Sequence, residues 1–317
     1  MKENKPLLSI CCLTYNHNEF IKDAIEGFLM QKTLFSFEII IHDDASTDDT
    51  PAIIRSYTTK YPNLFHIIYQ TENQYSKILE HVFTQFVLPI AKGKYIALCE
   101  GDDYWTDPFK LQKQVDFLDA HENVIMTFGN ARIKDMTGNY YKKDLYMHSY
   151  KPKFHTPEEI ITLGLPTLTM VFRNVLKSPP EWYSKVISGD YFLRYLLSKH
   201  GIFYYHGEVF GVHRKHFSGV SRTTDKLEWN LNTIKYLKIF HKDCLESQKS
   251  FIIKKIDQHY IYVLFLSYIN RRFGLMFTTF FKVVFSKGFY SRTTNGLARK
   301  LIKEVVVKKN IGALDIF

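Results

Sequence analysis

The sequence predicts an α/β fold, a mostly parallel sheet flanked by helices, on three observations. Short apolar runs alternate with amphipathic stretches through the first 130 residues, the order a parallel sheet needs because each strand reaches the next by a helical crossover. The runs end in polar clusters, Thr14 to Asn16, His42 to Thr47 and Glu100 to Asp103, and in such sheets ligands bind outside the carboxyl ends of the strands. Helix-start chemistry marks the boundaries: Asp48 or Asp49 precedes Pro51, and Thr156-Pro157-Glu158-Glu159 is a capping box with proline at the first helical position.

Taken in order, LLSICCL (7–13) is an apolar run of strand length, and Asn18–Gln31 carries Ile21, Ala24, Ile25 and Phe28 at helical spacing. FEIIIHD (37–43) is apolar without alternation, as a strand covered on both faces is. The pattern continues with helix Asp49–Tyr61, strand FHIIY (65–69), helix Tyr75–Ile90, strand YIALCE (95–100), helix Phe109–His121 and strand VIMTF (124–128). Residues 131–155, with Gly138-Asn139 and many Tyr and Lys, form a variable excursion. Beyond it, LTMVF (168–172) is a strand, SGDYFLRYLLSKHG (188–201) an aspartate-initiated helix closed by Gly201, and IFYYHGEVFGVHR (202–214) strand-like.

At 317 residues, 45% hydrophobic and 16% aromatic, the chain can bury a sizeable core and is not disordered. Cys11, Cys12, Cys99 and Cys244 have no CxxC spacing, and three lie in apolar runs. They read as core thiols of a reducing compartment. The apolar stretch near the N-terminus is too short and broken for a secretory signal, which makes the expected location cytoplasmic. The net charge is +10, but residues 241–317, with 14 Lys and Arg against 5 Asp and Glu, hold +9 of it. No nucleic-acid partner is therefore expected, since the basic character belongs to the tail. The division expected is a catalytic or binding domain over 1–225 and a basic, aromatic-rich helical extension over 226–317. In that extension YIYVLFLSYI (260–269) and FGLMFTTFFKVVF (273–285) are interrupted by Asn270, Arg271, Arg272 and Lys282, and each falls short of the roughly 20 residues of a spanning helix. They fit either a buried helical appendage or interfacial helices on an anionic membrane surface.

Glu100, Asp102 and Asp103 place three carboxylates at the end of an apolar strand, where repulsion and desolvation cost several kcal/mol unless a cation offsets them. Magnesium or manganese binds with one or two carboxylates and completes its shell with substrate phosphates. A solvated turn or a helix cap explains one such pair equally well. A second pair, Asp43 and Asp44, ends another strand, and the two together suggest a metal-bound nucleotide. There is no GxGxxG after the first strand and no GxxxxGK[ST], so neither a dinucleotide fold nor a P-loop is supported.

The segments SICCLTYNHNEFIKDAIEGFLMQ, IIIHDDASTDDT and GKYIALCEGDDYWTDPFKLQKQVDFL resemble the successive motifs of the family 2 glycosyltransferases, enzymes of GT-A fold that use nucleotide-diphosphate sugars. The resemblance runs from residue 7 to about 220. It implies that Thr14, Tyr15 and Asp44 hold the base and ribose, that Asp102 and Asp103 form the DxD-type motif with Asp103 the direct metal ligand, and that Asp190 activates the acceptor. It also implies that Arg214 approaches the diphosphate and that His216 completes the metal or phosphate site. Glu100 stands where the family's usual motif has aspartate. Without the resemblance, Asp190 reads as a helix cap, His213, Arg214 and His216 as loop residues, and Tyr104, Trp105 and Trp182 as core or as sugar-stacking rings.

The expected activity is an inverting, Mn2+- or Mg2+-dependent transfer of sugar from a nucleotide-diphosphate donor, uridine-linked, to a hydroxyl of a saccharide acceptor. With the basic tail, a polyprenyl-diphosphate-linked acceptor at the inner face of the cell membrane fits, in surface polysaccharide (capsule, O-antigen or exopolysaccharide) biosynthesis. The rivals are a non-catalytic saccharide- or membrane-binding protein of the same fold and a metal-dependent nucleotidyltransferase.

Overall fold

The computed structural model describes residues 5–77, 82–141, 144, 150–161, 163–176, 178–216 and 225–284. Its centre is a nine-stranded sheet. Strands β1 (Leu8–Thr14), β2 (Phe37–Asp43), β3 (Phe65–Tyr69) and β4 (Tyr95–Leu98) are parallel and lie in the order β3-β2-β1-β4. Their apolar character follows from burial on both faces: Ile39, Ile40 and Ile41 are all inaccessible to solvent. Helices α1 (Ile21–Leu29), α2 (Thr50–Lys60) and α3 (Gln74–Lys77) lie in the connections. α1 turns Ile21, Ala24, Ile25 and Phe28 to the core, the two isoleucines and the phenylalanine each stabilising the fold by about 1.5–3 kcal/mol.

The second half departs from parallel order. After β5 (Tyr104–Trp105) and α4 (Lys110–Ala120), the long β6 (Val124–Asp135) is followed by β7 (Lys153–His155), α5 (Pro157–Ile160), β8 (Val171–Arg173), α6 (Glu181–Ser184), α7 (Gly189–Leu197) and β9 (Ile202–Lys215). β8 joins the halves, antiparallel to both β4 and β6. β9 runs parallel to β6 and takes β5 and β7 antiparallel.

Several expectations change in detail. The helix expected over Tyr75–Ile90 changes type along its length: α3 is described over Gln74–Lys77, residues 78–81 lie outside the described set, a π-helical turn spans Phe83–Val87 and a 3-10 turn Leu88–Ile90. Pro89, which has no N–H to donate, lies in the last turn. The strand VIMTF continues to Asp135 because β9 pairs with it, through register shifts around Asn130 and then without interruption from Ala131 to Asp135, up to Lys215. LTMVF opens as a 3-10 turn at Thr167–Thr169 before β8 begins. Thr156 caps α5 by accepting from Glu159 N, but the Glu159 carboxylate turns to His155 and Lys153, so half of the expected capping box forms. Cys11, Cys12 and Cys99 are buried free thiols, and burial pushes their pKa values up, which makes them inert core residues.

The chain divides into two compact units, 1–219 and 220–317. In the second, Asp225 caps α8 (Lys226–Asp243) by accepting from Glu228 N at 2.8 Å. α8 packs on α9 (Lys249–Ile269), with His259 Nδ1 2.8 Å from Asn230 Oδ1 inside the contact. α10 (Phe273–Val284) leaves Phe273, Phe277, Phe280 and Phe281 48–58% exposed and has Arg271 and Arg272 at its start. No helix among the described residues is long and apolar enough to cross a membrane.

Candidate active site

Two loops at the carboxyl edge of the sheet are latched together. After β1 the chain turns at Asn16 and after β2 at Ala45, both in the left-handed region with φ of 53° and 62°. Asn16 N donates to Ser46 Oγ at 2.8 Å, His17 N to Thr50 Oγ1 at 2.8 Å and Asn18 N to Asp48 Oδ2 at 3.0 Å, while Asn16 Oδ1 accepts from Thr47 N at 2.8 Å. The polar run from Ser46 to Thr50 thus holds the neighbouring loop as well as starting α2. The acid pair here divides in role. Asp43 accepts from Ser46 Oγ at 2.5 Å, whereas Asp44 accepts from Gln74 N and Tyr75 N at 2.7 and 2.9 Å, tying β2 to the start of α3.

The loop after β4 meets the end of β9. Asp103 is buried, and its oxygens accept from Arg214 N at 2.8 Å and His213 Nδ1 at 3.1 Å. Burial raises the Asp103 pKa and would depress that of His213, but the Asp103 carboxylate raises His213 overall. Asp102 points elsewhere: its Oδ2 accepts from His216 Nε2 at 2.8 Å and lies 4.0 Å from His17 Nε2. Burial favours its neutral form, but the His216 hydrogen bond and nearby His17 hold its carboxyl below the usual range. Among the described residues, His17, Asp102 and His216 form a group whose ligand atoms all lie within 4.8 Å of one another. One carboxylate and two imidazoles fit a divalent cation of the manganese-to-zinc series.

Arg214 is held by three contacts. Its Nη1 donates to Asp102 O at 2.9 Å, its Nη2 pairs with Asp23, and its guanidinium lies 4.2 Å from the Tyr104 ring centroid. Thr14 is buried, its hydroxyl 3.1 Å from His17 Nδ1, and the Tyr15 ring is 42% exposed. Asp190 lies in the first turn of α7, whose N-cap is Ser188, so it is not the cap that the sequence alone suggests. Its exposed carboxylate accepts from Ser188 Oγ at 2.8 Å and Thr167 Oγ1 at 3.3 Å. Burial first, then the charges of Asp103, Asp102 and Asp190, push the Glu100 carboxyl well above the carboxylate range. Trp105 is core, packed on Phe28 at 4.9 Å and donating from Nε1 to Leu168 O at 2.6 Å.

Sequence reasoning overlooked His17. It stands three residues beyond the strand end in an ordinary polar turn, and its position depends on the latch, for which the sequence carries no local signal. His213 and Arg214 belong to β9, and His216 follows it, rather than lying in a surface loop.

The sheet order and the acid-lined carboxyl edge define a GT-A α/β fold. The chain belongs to glycosyl transferase family 2, whose model matches residues 9–178, just over half of its length. It is 38% identical over 188 residues to an uncharacterised protein of Mycobacterium tuberculosis, covering 56% of this chain and 53% of the relative. It is 36% identical over 128 residues to the Escherichia coli UDP-Glc:alpha-D-GlcNAc-diphosphoundecaprenol beta-1,3-glucosyltransferase WfaP, covering 40% and 47%. The chain spans about half the length of the curated relatives it matches. Among solved structures it is similar to TarS of S. aureus, with a TM-score of 0.59 at 15% identity over 98% of this chain and 94% of the other. It is also similar to the mannosyltransferase PcManGT of Pyrobaculum calidifontis in complex with GDP-Man and Mn2+, with a TM-score of 0.53 at 14% identity over 97% and 89%. At such identities the likeness is one of fold.

Proposed function

We propose that the protein is an inverting glycosyltransferase of surface polysaccharide biosynthesis, moving a sugar from a uridine-diphosphate donor to a saccharide hydroxyl with Asp190 as general base. The observation that carries this reading is the placement of Asp190: exposed, free of the capping role, and held by the hydroxyls of Ser188 and Thr167. A carboxylate steadied by two hydroxyls keeps acceptor positions for the proton of an incoming hydroxyl. At the other end of the reaction, a divalent cation supplies charge neutralisation for the departing diphosphate.

The cation falls to Asp102 and His216. The sequence favoured Asp103, but among the described residues it is Asp102 whose carboxylate converges with His17 and His216, while Asp103 accepts from Arg214 N and His213 Nδ1, and the role that fits it is pinning β9. Arg214 is assigned to the diphosphate: its guanidinium is 10% exposed, but its partner Asp23 is 55% exposed, and a carboxylate so open to water can give up its place to a phosphate oxygen. Thr14, Tyr15 and Asp44 are assigned to the base and ribose. Each Asp44 oxygen accepts one backbone N–H and has a lone pair left for a hydroxyl.

For the acceptor, the name of the E. coli relative specifies a diphosphoundecaprenol-linked saccharide, and we extend that class to this chain. The exposed aromatic face of α10, with Arg271, Arg272 and Lys282 and no acidic residue in the helix, suits an anionic membrane surface where such a lipid resides. The division at about residue 225 and a location at the inner membrane face belong to the same proposal.

A panel of uridine- and guanosine-diphosphate sugars with Mn2+ tests it. A bound donor raises the thermal midpoint in proportion to RT ln(1 + [L]/Kd), and turnover releases nucleoside diphosphate. Protection by no nucleotide sugar would overturn the proposal, and formation of nucleoside triphosphate and sugar 1-phosphate when pyrophosphate is added to the nucleotide sugar would favour the nucleotidyltransferase.

A further inference from the structure

We infer that His17 is a third protein ligand of the metal, and that the resulting two-histidine, one-carboxylate site selects manganese-class ions over magnesium. The inference rests on the proposed metal at Asp102 and His216 and adds what neither the motifs nor the family match assigns. Three observations support it. First, His17 Nε2, His216 Nε2 and Asp102 Oδ2 converge within 4.8 Å from three separate chain segments, a span that an ion about 2.0–2.2 Å from each ligand atom bridges with a small closure.

Second, His17 is pre-aimed. Its Nδ1 lies 3.1 Å from the Thr14 hydroxyl, which can accept from Nδ1–H and so suits the tautomer that leaves Nε2 to bind, the usual support for a ligating histidine. Its backbone N–H is fixed by Thr50 in the latch. Gly101 adds a steric reason, because a Cβ there would lie 2.7 Å from Thr14 Oγ1 and 3.0 Å from His17 Nδ1; the chain beside the acid pair is bare where the Thr14–His17 pair packs. Third, the donor set is wrong for magnesium, which demands oxygen ligands in octahedral array and gives up water reluctantly. Imidazole favours manganese and the later divalent ions, with affinity rising along the series.

The test uses the full-length chain and Mn2+ alone, without donor. Binding is followed by loss of the free-ion signal in electron paramagnetic resonance, and coordinated imidazoles are counted by pulsed detection of 14N coupling. The parent should show two coupled imidazole nitrogens and His17→Ala one, with Mn2+ affinity falling by about tenfold or more, since removing even a supporting partner of a ligand costs 10–100-fold. Mg2+ should compete for the parent site at least about tenfold more weakly than Mn2+, a measurement that needs no variant. Unchanged Mn2+ affinity and nitrogen count in His17→Ala, equal competition by Mg2+, or no Mn2+ binding by the parent would each overturn the inference. Tight Mn2+ binding with no donor turnover would leave this site standing and remove the transferase reading, so the two failures are distinguishable.

Discussion

At the scale of single residues, Asp190 makes the sharpest prediction. Asp190→Asn preserves shape and both hydroxyl contacts but removes the proton acceptor. It should bind donor and metal normally and transfer sugar about 10²–10⁴-fold more slowly, measured as turnover and binding on one preparation. Transfer within a few-fold of the parent would place the base elsewhere. A second prediction concerns Lys110, fully buried at the start of α4 with Nζ 4.1 Å from the Trp105 ring centroid and, among the described residues, no hydrogen-bond partner. Burial lowers its pKa from 10.5 to about 7, against the pull of Cys99 and Asp107. Between those values the unfolded chain holds a proton that the folded chain does not, so stability rises with pH across that window, and the penalty is complete below it. Lys110→Met should therefore stabilise the protein most near pH 7 and flatten the rise of the thermal midpoint towards pH 10; an unchanged slope would refute this. Residue roles were legible only in part. Asp102 and Asp103 are adjacent and chemically alike, and what separates them is contact with residues more than a hundred positions away. Trp105, a possible sugar platform in sequence, is core because Lys110 and Phe28 cover its faces.

At the scale of elements, the parallel strands were legible because burial on both faces leaves an unbroken apolar run. β5 was not, since two residues carry no periodicity, nor was the far half of β6, where Asn130, Arg132 and Lys134 look like loop until β9 pairs with them. The helix over Tyr75–Ile90 was overextended because apolar spacing does not register the change from α to π and 3-10 turns. The latch between the first two βα loops was equally invisible, yet it positions His17. Ser46→Ala removes the acceptor for Asn16 N and the donor to buried Asp43, each a group left short of a partner. The expected loss is about 1–3 kcal/mol, seen as a lower denaturation midpoint at unchanged slope, together with weaker Mn2+ binding. A loss of only a few tenths would mean that water replaces the hydroxyl.

At the scale of the whole molecule, the charge asymmetry was plain in sequence, but seven of the fourteen Lys and Arg of the basic tail lie in residues 285–317, outside the described set. What is described is α10, and it makes the fourth prediction. Replacing Phe277 and Phe281, both more than half exposed, by serine should weaken binding to vesicles rich in anionic lipid about tenfold or more without altering donor binding, since each buried aromatic contributes about 1.5–3 kcal/mol. Salt should weaken the parent as well, because each basic residue near the surface contributes about 1 kcal/mol within a screening length. A parent indifferent to such vesicles at low salt would leave α10 without a membrane role. The family match ends at residue 178, whereas Asp190, His213, Arg214 and His216 all lie beyond it. That division has a temporal side. The contacts tying Asp102 and Asp103 to β9 span 110 to 114 positions, and closing so long a loop is entropically slow. A growing chain can pair β1 to β4 and cover them with helices while its acid pair still faces water unorganised. Only when β9 is laid down are those carboxylates drawn to their partners, so a chain stalled or cleaved before His216 folds at most into a sheet without a centre.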